Sequence, residues 1–104
     1  MATIEIDGYI IDTLLPDLIG HDRQPSAFLV YLCLWRHTHG AKADAVQMSL
    51  LDIAANTGLS KRGVQSALGW LAKRRLLSIQ HEGITTVPIY TVRRPWIRPP
   101  RPAK

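Results

Sequence analysis

Apolar residues recur at intervals of three and four positions through much of the chain, which is the spacing of one buried face of an α-helix. The first such stretch predicts a helix over residues 10–19, with a break at Pro16, because proline lacks an N–H and clashes with the preceding turn. A second helix is expected from Pro25 to about Thr38, with Gly40 as its C-terminal cap.

Residues 28–35 make this second helix apolar on all sides, so it has to be covered on more than one face. In a chain of 104 residues, the acidic N-terminal helix is the only spare element. Either the helix is wrapped by its own chain, or residues 10–19 and 28–35 pair with those of a second copy. We expect the homodimer.

Two shorter helices follow, each with a start signal that the sequence makes explicit. Residues 46–49 alternate like a brief strand, and Ser49 with Asp52 resembles a capping box for a helix from Leu50 to Asn56. Gly58 ends that helix, and Ser60 caps the next. The new helix buries one face through four apolar residues at helical spacing: Val64, Ala67, Leu68 and Leu71. Two capped helices around a glycine turn predict a helix-turn-helix.

This run resembles the winged helix-turn-helix of bacterial transcription regulators such as the MarR and GntR families. The resemblance covers about 30 residues, or nearly half the chain with the hairpin that follows. It is carried by Leu51, Ile53, Ala54, Gly58, Leu59, Ser60, Val64, Ala67, Leu68, Leu71, Leu76 and Leu77. These families usually carry glycine just before the closing apolar pair, where this chain has Arg74 and Arg75. The resemblance implies a mainly α fold with a small β-hairpin wing, and a dimer that places its second helices in successive major grooves.

Residues 77–80 and 86–92 are rich in β-forming residues and flank a short glycine-containing loop, so they predict a two-stranded wing. Pro88 cannot donate to a strand ladder, so its nitrogen should face away from the partner strand.

The helix after Ser60 should carry the DNA-reading surface. At 100° per residue, its outward side holds Arg62, Ser66, Gly69 and Lys73, with Gln65 beside them. Arginine and glutamine read base edges in the major groove, and serine or lysine holds phosphates. Glycine costs helix stability, so we expect a close neighbour at Gly69, either a groove wall or the wing. The expected DNA contacts on this helix are Ser60, Lys61, Arg62, Gln65, Ser66, Gly69 and Lys73.

Charge supports a polyanionic partner because it is unevenly distributed. The net charge is +5; residues 1–22 hold five acids and no Lys or Arg, whereas residues 61–104 hold ten basic residues and one acid. A one-sided basic surface is typical of nucleic-acid binding. Five of the last twelve residues are basic and four are proline, which predicts an extended arm. We expect Arg93, Arg94 and Arg98 to contact DNA; the alternative is a solubilising tail.

Other chemistry is poorly supported. Cys33 and His37 are four apart on one helix, but two ligands do not make a zinc site, so no metal or cofactor is expected. No catalytic triad or carboxylate pair is visible, and solvated helix faces account for the N-terminal acids, so the protein is not expected to be an enzyme. Trp70 and Trp96 are expected to pack under the wing or against a partner subunit, with base stacking as the alternative.

Composition places the chain among single globular domains: 46% of its residues are apolar, and one cysteine in an apolar run fits a reducing cytoplasm. The longest apolar run is far shorter than the roughly 20 residues of a membrane span. We expect an N-terminal segment (1–22), a winged helix-turn-helix domain (23–93) and a basic tail (94–104).

The expected function is that of a small dimeric transcriptional regulator that binds double-stranded DNA, with no small-molecule ligand indicated. The alternatives are a plasmid or phage replication or partition protein that binds DNA, and a winged helix that contacts only proteins.

Overall fold

The computed structural model describes residues 2–83 and 86–97 of the chain. Its main elements, in chain order, are α1 (Pro25–His37), β1 (Ala45–Gln47), α2 (Leu50–Thr57), α3 (Lys61–Lys73), β2 (Leu77–Gln80) and β3 (Ile89–Val92). The fold is therefore mainly helical with one small antiparallel sheet, as the sequence predicts. Among the helices of these two ranges, none is long and apolar enough to cross a membrane.

The N-terminal segment (residues 2–22) forms two wide π-helical turns, Ile10–Leu14 and Asp17–His21, whose hydrogen bonds join residues five apart. The expected break at Pro16 is wrong, because Leu15 and Pro16 keep right-handed helical angles. Pro16 is the residue that precedes the second turn. Three residues spaced by four positions enter the core: Ile10, Leu14 and Leu18.

Helix α1 is the centre of the core. It buries Ala27, Phe28, Val30, Tyr31, Leu34 and Trp35. Its contacts come from α2, α3, strands β1 and β3, and the second turn of the N-terminal segment. The indole nitrogen of Trp35 donates to the Glu5 carbonyl at 2.8 Å, which ties the start of the chain to α1. The chain thus covers most of this helix itself, while Leu29 stays exposed.

The end of α1 differs from the sequence prediction at one residue. Gly40 is not the C-terminal cap; it lies within a short 3-10 turn, His39–Ala41. Thr38 ends the helix instead, because its hydroxyl donates to the Leu34 carbonyl at 2.8 Å and bonds an otherwise unpaired end group. The left-handed residue of this corner is Lys42.

The two capped helices form as predicted. The Ser49 hydroxyl accepts the Asp52 N–H at 3.1 Å, and the Ser60 hydroxyl accepts the Gly63 N–H at 3.0 Å. Between the helices, Gly58 has a φ of +79°, a conformation that costs glycine little. Helix α3 packs against both α1 and α2.

The sheet has three strands in the order β1-β3-β2, whereas the sequence predicted a wing of only two strands. Strand β1 is the missing partner: Val46 and Ile79 flank Tyr90 from opposite sides. Strand β3 begins only at Ile89, because Pro88 before it has no N–H for the ladder and offers its carbonyl to Met48.

Candidate nucleic-acid interface

Helix α3 divides sharply into a buried and an exposed face. Its apolar stripe is at most 5% exposed and faces the core: Val64, Ala67, Leu68 and Leu71. The residues expected to contact DNA all lie exposed on the rest of the helix or at its start: Ser60, Lys61, Arg62, Gln65, Ser66, Gly69 and Lys73. The structure therefore brings these seven positions together on one side of α3.

Most polar side chains on this face have no partner within the chain. Among the described residues, no hydrogen bond or ion pair uses the side chain of Lys61, Arg62, Gln65 or Ser66. Lys73 lies 5.4 Å above the Trp70 ring, a contact that leaves its ammonium able to donate outward. The Ser60 hydroxyl accepts the Gly63 N–H and keeps its own proton for a ligand.

Gly69 lies in the middle of the exposed face, and nothing in the described chain accounts for it. A Cβ built on Gly69 would meet no atom within 4 Å, so no described residue of the wing is the close neighbour that we expected there. Its φ lies outside the left-handed region.

Arg74 follows Lys73 but turns away from this face. Its guanidinium binds Asp17 at 2.7 Å and also Asp22, while the Trp70 indole nitrogen donates to Asp22 at 2.8 Å. Within the chain, Trp70 therefore contacts the N-terminal segment. Sequence reasoning missed this cluster, because it assigned the N-terminal acids to solvated helix faces.

The cluster shifts the pKa of its members in opposite directions. Burial alone would raise the pKa of Asp22, but hydrogen bonds from His21, Trp70 and Arg74 outweigh burial and lower it. The hydrogen bond to Asp22 and the nearby charge of Asp17 raise the pKa of His21. Ionised Asp22 thus binds the C-terminal half of α3 to the N-terminal segment.

Of the C-terminal arginines expected to contact DNA, Arg93 and Arg94 make contacts with other parts of the chain. Arg94 binds Asp7 through two nitrogens at 2.7 and 2.8 Å, so its charge is neutralised within the fold. Arg93 donates to the Ser78 hydroxyl at 3.0 Å. Arg98 lies outside the described residues. Trp96 stacks on Tyr9 with ring centroids 4.7 Å apart and donates to Asp7, so it packs against its own chain.

The residues that could bind a metal ion have other environments or partners in the described chain. Cys33 is half-buried, and burial raises the pKa of its thiol, which disfavours the thiolate that a metal binds. In the described ranges, one group could offer three ligand atoms to an ion: Asp17, His21 and Asp22. Both carboxylates are already bound by Arg74, so the group is an ion-pair network.

Comparisons of this chain with protein-family models, with curated proteins and with solved structures found no match.

Proposed function

We propose that this chain is a winged helix-turn-helix protein that binds duplex DNA and acts as a small transcriptional regulator in the cytoplasm. The observation that carries the proposal is the exposed face of α3, where Lys61, Arg62 and Gln65 have no partner within the described chain. This face belongs to the second of two capped helices, the position from which such helices enter the major groove.

Each polar residue on the face has a role set by its place on α3. Arg62 and Gln65, in the first half of the helix, carry the groups that read guanine and adenine edges, and Ser66 serves either base. Lys61 and Lys73 stand as point charges for phosphates on either side of the groove. Gly69 lets the DNA approach the helix backbone closely.

The element order supports this proposal. A helix, a strand, two helices and a β-hairpin follow one another, and the hairpin is joined directly to the end of α3. In this layout the loop between β2 and β3 is the wing, and its first residues, His81, Glu82 and Gly83, are exposed. Arg93 and Arg94 lie at the other end of the strands, so the proposed DNA surface leaves them out.

We also propose a homodimer, because a single α3 covers only half of a twofold site. Three exposed apolar side chains on the N-terminal segment and α1 support it: Ile11 (49%), Ile19 (40%) and Leu29 (44%). Leu29→Glu should shift sedimentation at micromolar concentration from dimer to monomer. Leu51→Glu on α2, where the wild-type leucine is more exposed still, is the matched control and should leave the dimer intact.

Selection of bound duplexes from a random pool tests the DNA-binding proposal. We expect enrichment of one sequence with twofold symmetry, and an affinity that falls steeply with salt. A long iterated site would favour the replication or partition protein over the regulator. Failure to retain any duplex at low salt would contradict DNA binding and favour the winged helix that contacts only proteins.

A further inference from the structure

A groove of about 900 Å³ lies between the end of α3, the sheet and the segment that follows β3. Apolar atoms of Ala72, Leu77, Val92 and Ile97 line it, and Arg75 and Arg93 border it. Leu77 and Val92 are only 3% exposed, so the apolar side chains that the groove presents are those of Ala72 and Ile97. Ile97 is 45% exposed.

The groove begins at the C-terminal end of the proposed DNA surface. Ala72 follows Gln65 by seven residues, or two turns, and therefore lies on the same side of α3. Arg75 lies beyond the end of the helix, and Arg93 follows β3 at the end of the strands opposite the wing loop. The two arginines of the groove are therefore distinct from Arg62 and Gln65, which we propose read the bases.

The two bordering arginines carry uncompensated charge. Arg75 and Arg93 are exposed, and within the described residues no carboxylate oxygen lies within 4.0 Å of either guanidinium. Arg94 also lines the groove, but Asp7 neutralises it. The Ser78 hydroxyl accepts from one nitrogen of Arg93 and leaves the others free to bind an anion.

The backbone at Arg75 adds to the case. Arg75 has a φ of +59°, in the left-handed region where glycine ends a helix at the least cost. The Leu76 N–H bonds to the Leu71 carbonyl across it, the pattern of a Schellman motif. A side chain kept at such a position at the expense of stability is a reason to look for its role, and this one borders the groove.

We propose that the groove binds an acidic, amphipathic segment of a partner protein. Carboxylates of the segment pair with Arg75 and Arg93, and an apolar side chain between them packs on Ala72 and Ile97. The groove is partly open to solvent, whereas small-molecule sites enclose most of their ligand. The chain's own residues after Ile97 are basic in sequence (Arg98, Arg101 and Lys104), so like charge disfavours them as the occupant.

Fluorescence polarisation with the full-length protein tests this proposal. The probe is a short fluorescein-labelled peptide in which aspartate alternates with leucine. Arg75→Gly, which also relieves the backbone, and Arg93→Gln should each weaken peptide binding by about tenfold, the effect of one lost charge-assisted hydrogen bond. Arg36→Gln removes an exposed arginine at the end of α1, outside the groove, and should leave peptide binding within twofold of wild type.

Two control peptides separate the parts of the site. Replacing aspartate by asparagine, or leucine by serine, in the peptide should each abolish measurable binding, because both the carboxylates and the apolar side chains of the peptide are needed. Equal binding of the asparagine peptide, or unchanged binding to both groove variants, would overturn the proposal. The proposal is also overturned if the two groove variants weaken duplex binding but not peptide binding, because the groove then holds phosphates. It is overturned as well if a chain ending at Ile97 binds the peptide tenfold more tightly than the full chain, because the C-terminal tail then occupies the groove.

The proposal does not depend on DNA binding. Peptide binding without duplex binding would contradict the proposed function and leave the groove assignment standing.

Discussion

Asp7 and Arg94 form an ion pair across 87 positions of sequence, and Asp7 also accepts the Trp96 indole N–H at 3.1 Å. This contact closes the fold by joining the N-terminal segment to the residues after β3. The hydroxyl of Tyr31 on α1 donates to the Arg93 carbonyl at 3.0 Å in the same region. Arg94 and Trp96, which the sequence places in a separate tail, are thus packed against the rest of the molecule.

Asp7→Ala should therefore destabilise the protein. Both partners of the pair are about a third exposed, so the expected loss is about 1 kcal/mol in the free energy of unfolding, measured in urea. Glu5→Ala removes an exposed acid from the same segment and should change the free energy of unfolding far less. A chain ending at Arg93 should lose more stability than one ending at Ile97. Equal stability of the two truncated chains would contradict a structural role for Arg94 and Trp96.

The cluster around Asp22 predicts that the stability of the fold decreases at both low and high pH. The lowered pKa of Asp22 gives stability that is full above the usual aspartate pKa and is lost as pH falls through the folded-state value. The raised pKa of His21 gives stability that is full below the usual histidine pKa of 6.5 and is lost as pH rises through its folded-state value. The contribution of the cluster should therefore peak between about pH 4 and 6.5.

Asp22→Asn should flatten the dependence of stability on pH and lower the free energy of unfolding by about 2 kcal/mol near pH 6. The reason is that the Asp22 side chain is only 4% exposed and accepts hydrogen bonds from three side chains. In the same variant, the His21 ring should titrate at a lower pH than in wild type, as followed by NMR. An unchanged His21 midpoint would show that Asp22 does not hold the imidazolium.

Arg75→Gly should stabilise the protein by about 1 kcal/mol, since glycine adopts the left-handed conformation without a steric penalty. Arg75→Ala is the matched control: it also removes the charge but keeps the penalty, so its midpoint of thermal unfolding should stay near that of wild type. A gain of the same size in both variants would mean that charge, not backbone conformation, limits stability there.

Local chemistry could be read from the sequence where one residue acts on its immediate neighbours. Ser49, Gly58 and Ser60 set the ends of α2 and α3 as predicted, because a hydroxyl cap or a left-handed glycine needs no distant partner. The failure at Gly40 has the same origin: the Thr38 hydroxyl ends α1 before the glycine is reached, and two local signals two residues apart cannot be ranked by type alone.

Long-range contacts were beyond sequence reasoning. The split between an acidic start and a basic second half was visible, and we assigned the bases to DNA. In the fold, part of that positive charge is neutralised within the chain. Arg74 pairs with Asp17 and Asp22, and Arg94 pairs with Asp7. The exposed face of α3 was predictable because a single helix with a clear apolar stripe fixes its own outward side.

Gly69→Ala should separate stability from binding. Alanine is the better helix former by up to about 1 kcal/mol, and its methyl group would meet no atom of the described chain, so the thermal midpoint should rise. Duplex affinity should fall at the same time, because the methyl group would occupy space that the DNA needs. Ser66→Ala, one turn earlier on the same face, adds no volume and should lose at most a hydrogen bond. A Gly69→Ala variant that is more stable and binds duplex as well as wild type would contradict close approach at this position.

The most direct test of α3 as the DNA-reading helix is the ratio of affinities for the selected duplex and a scrambled duplex, measured for Arg62→Ala and Lys73→Ala at several salt concentrations. Arg62→Ala should lose about 1 to 3 kcal/mol on the selected duplex and much less on the scrambled one, because a bidentate arginine discriminates one base pair. Lys73→Ala should weaken both alike and reduce the salt slope by about 1. A specificity ratio that Arg62→Ala leaves unchanged would contradict the assignment of sequence reading to α3.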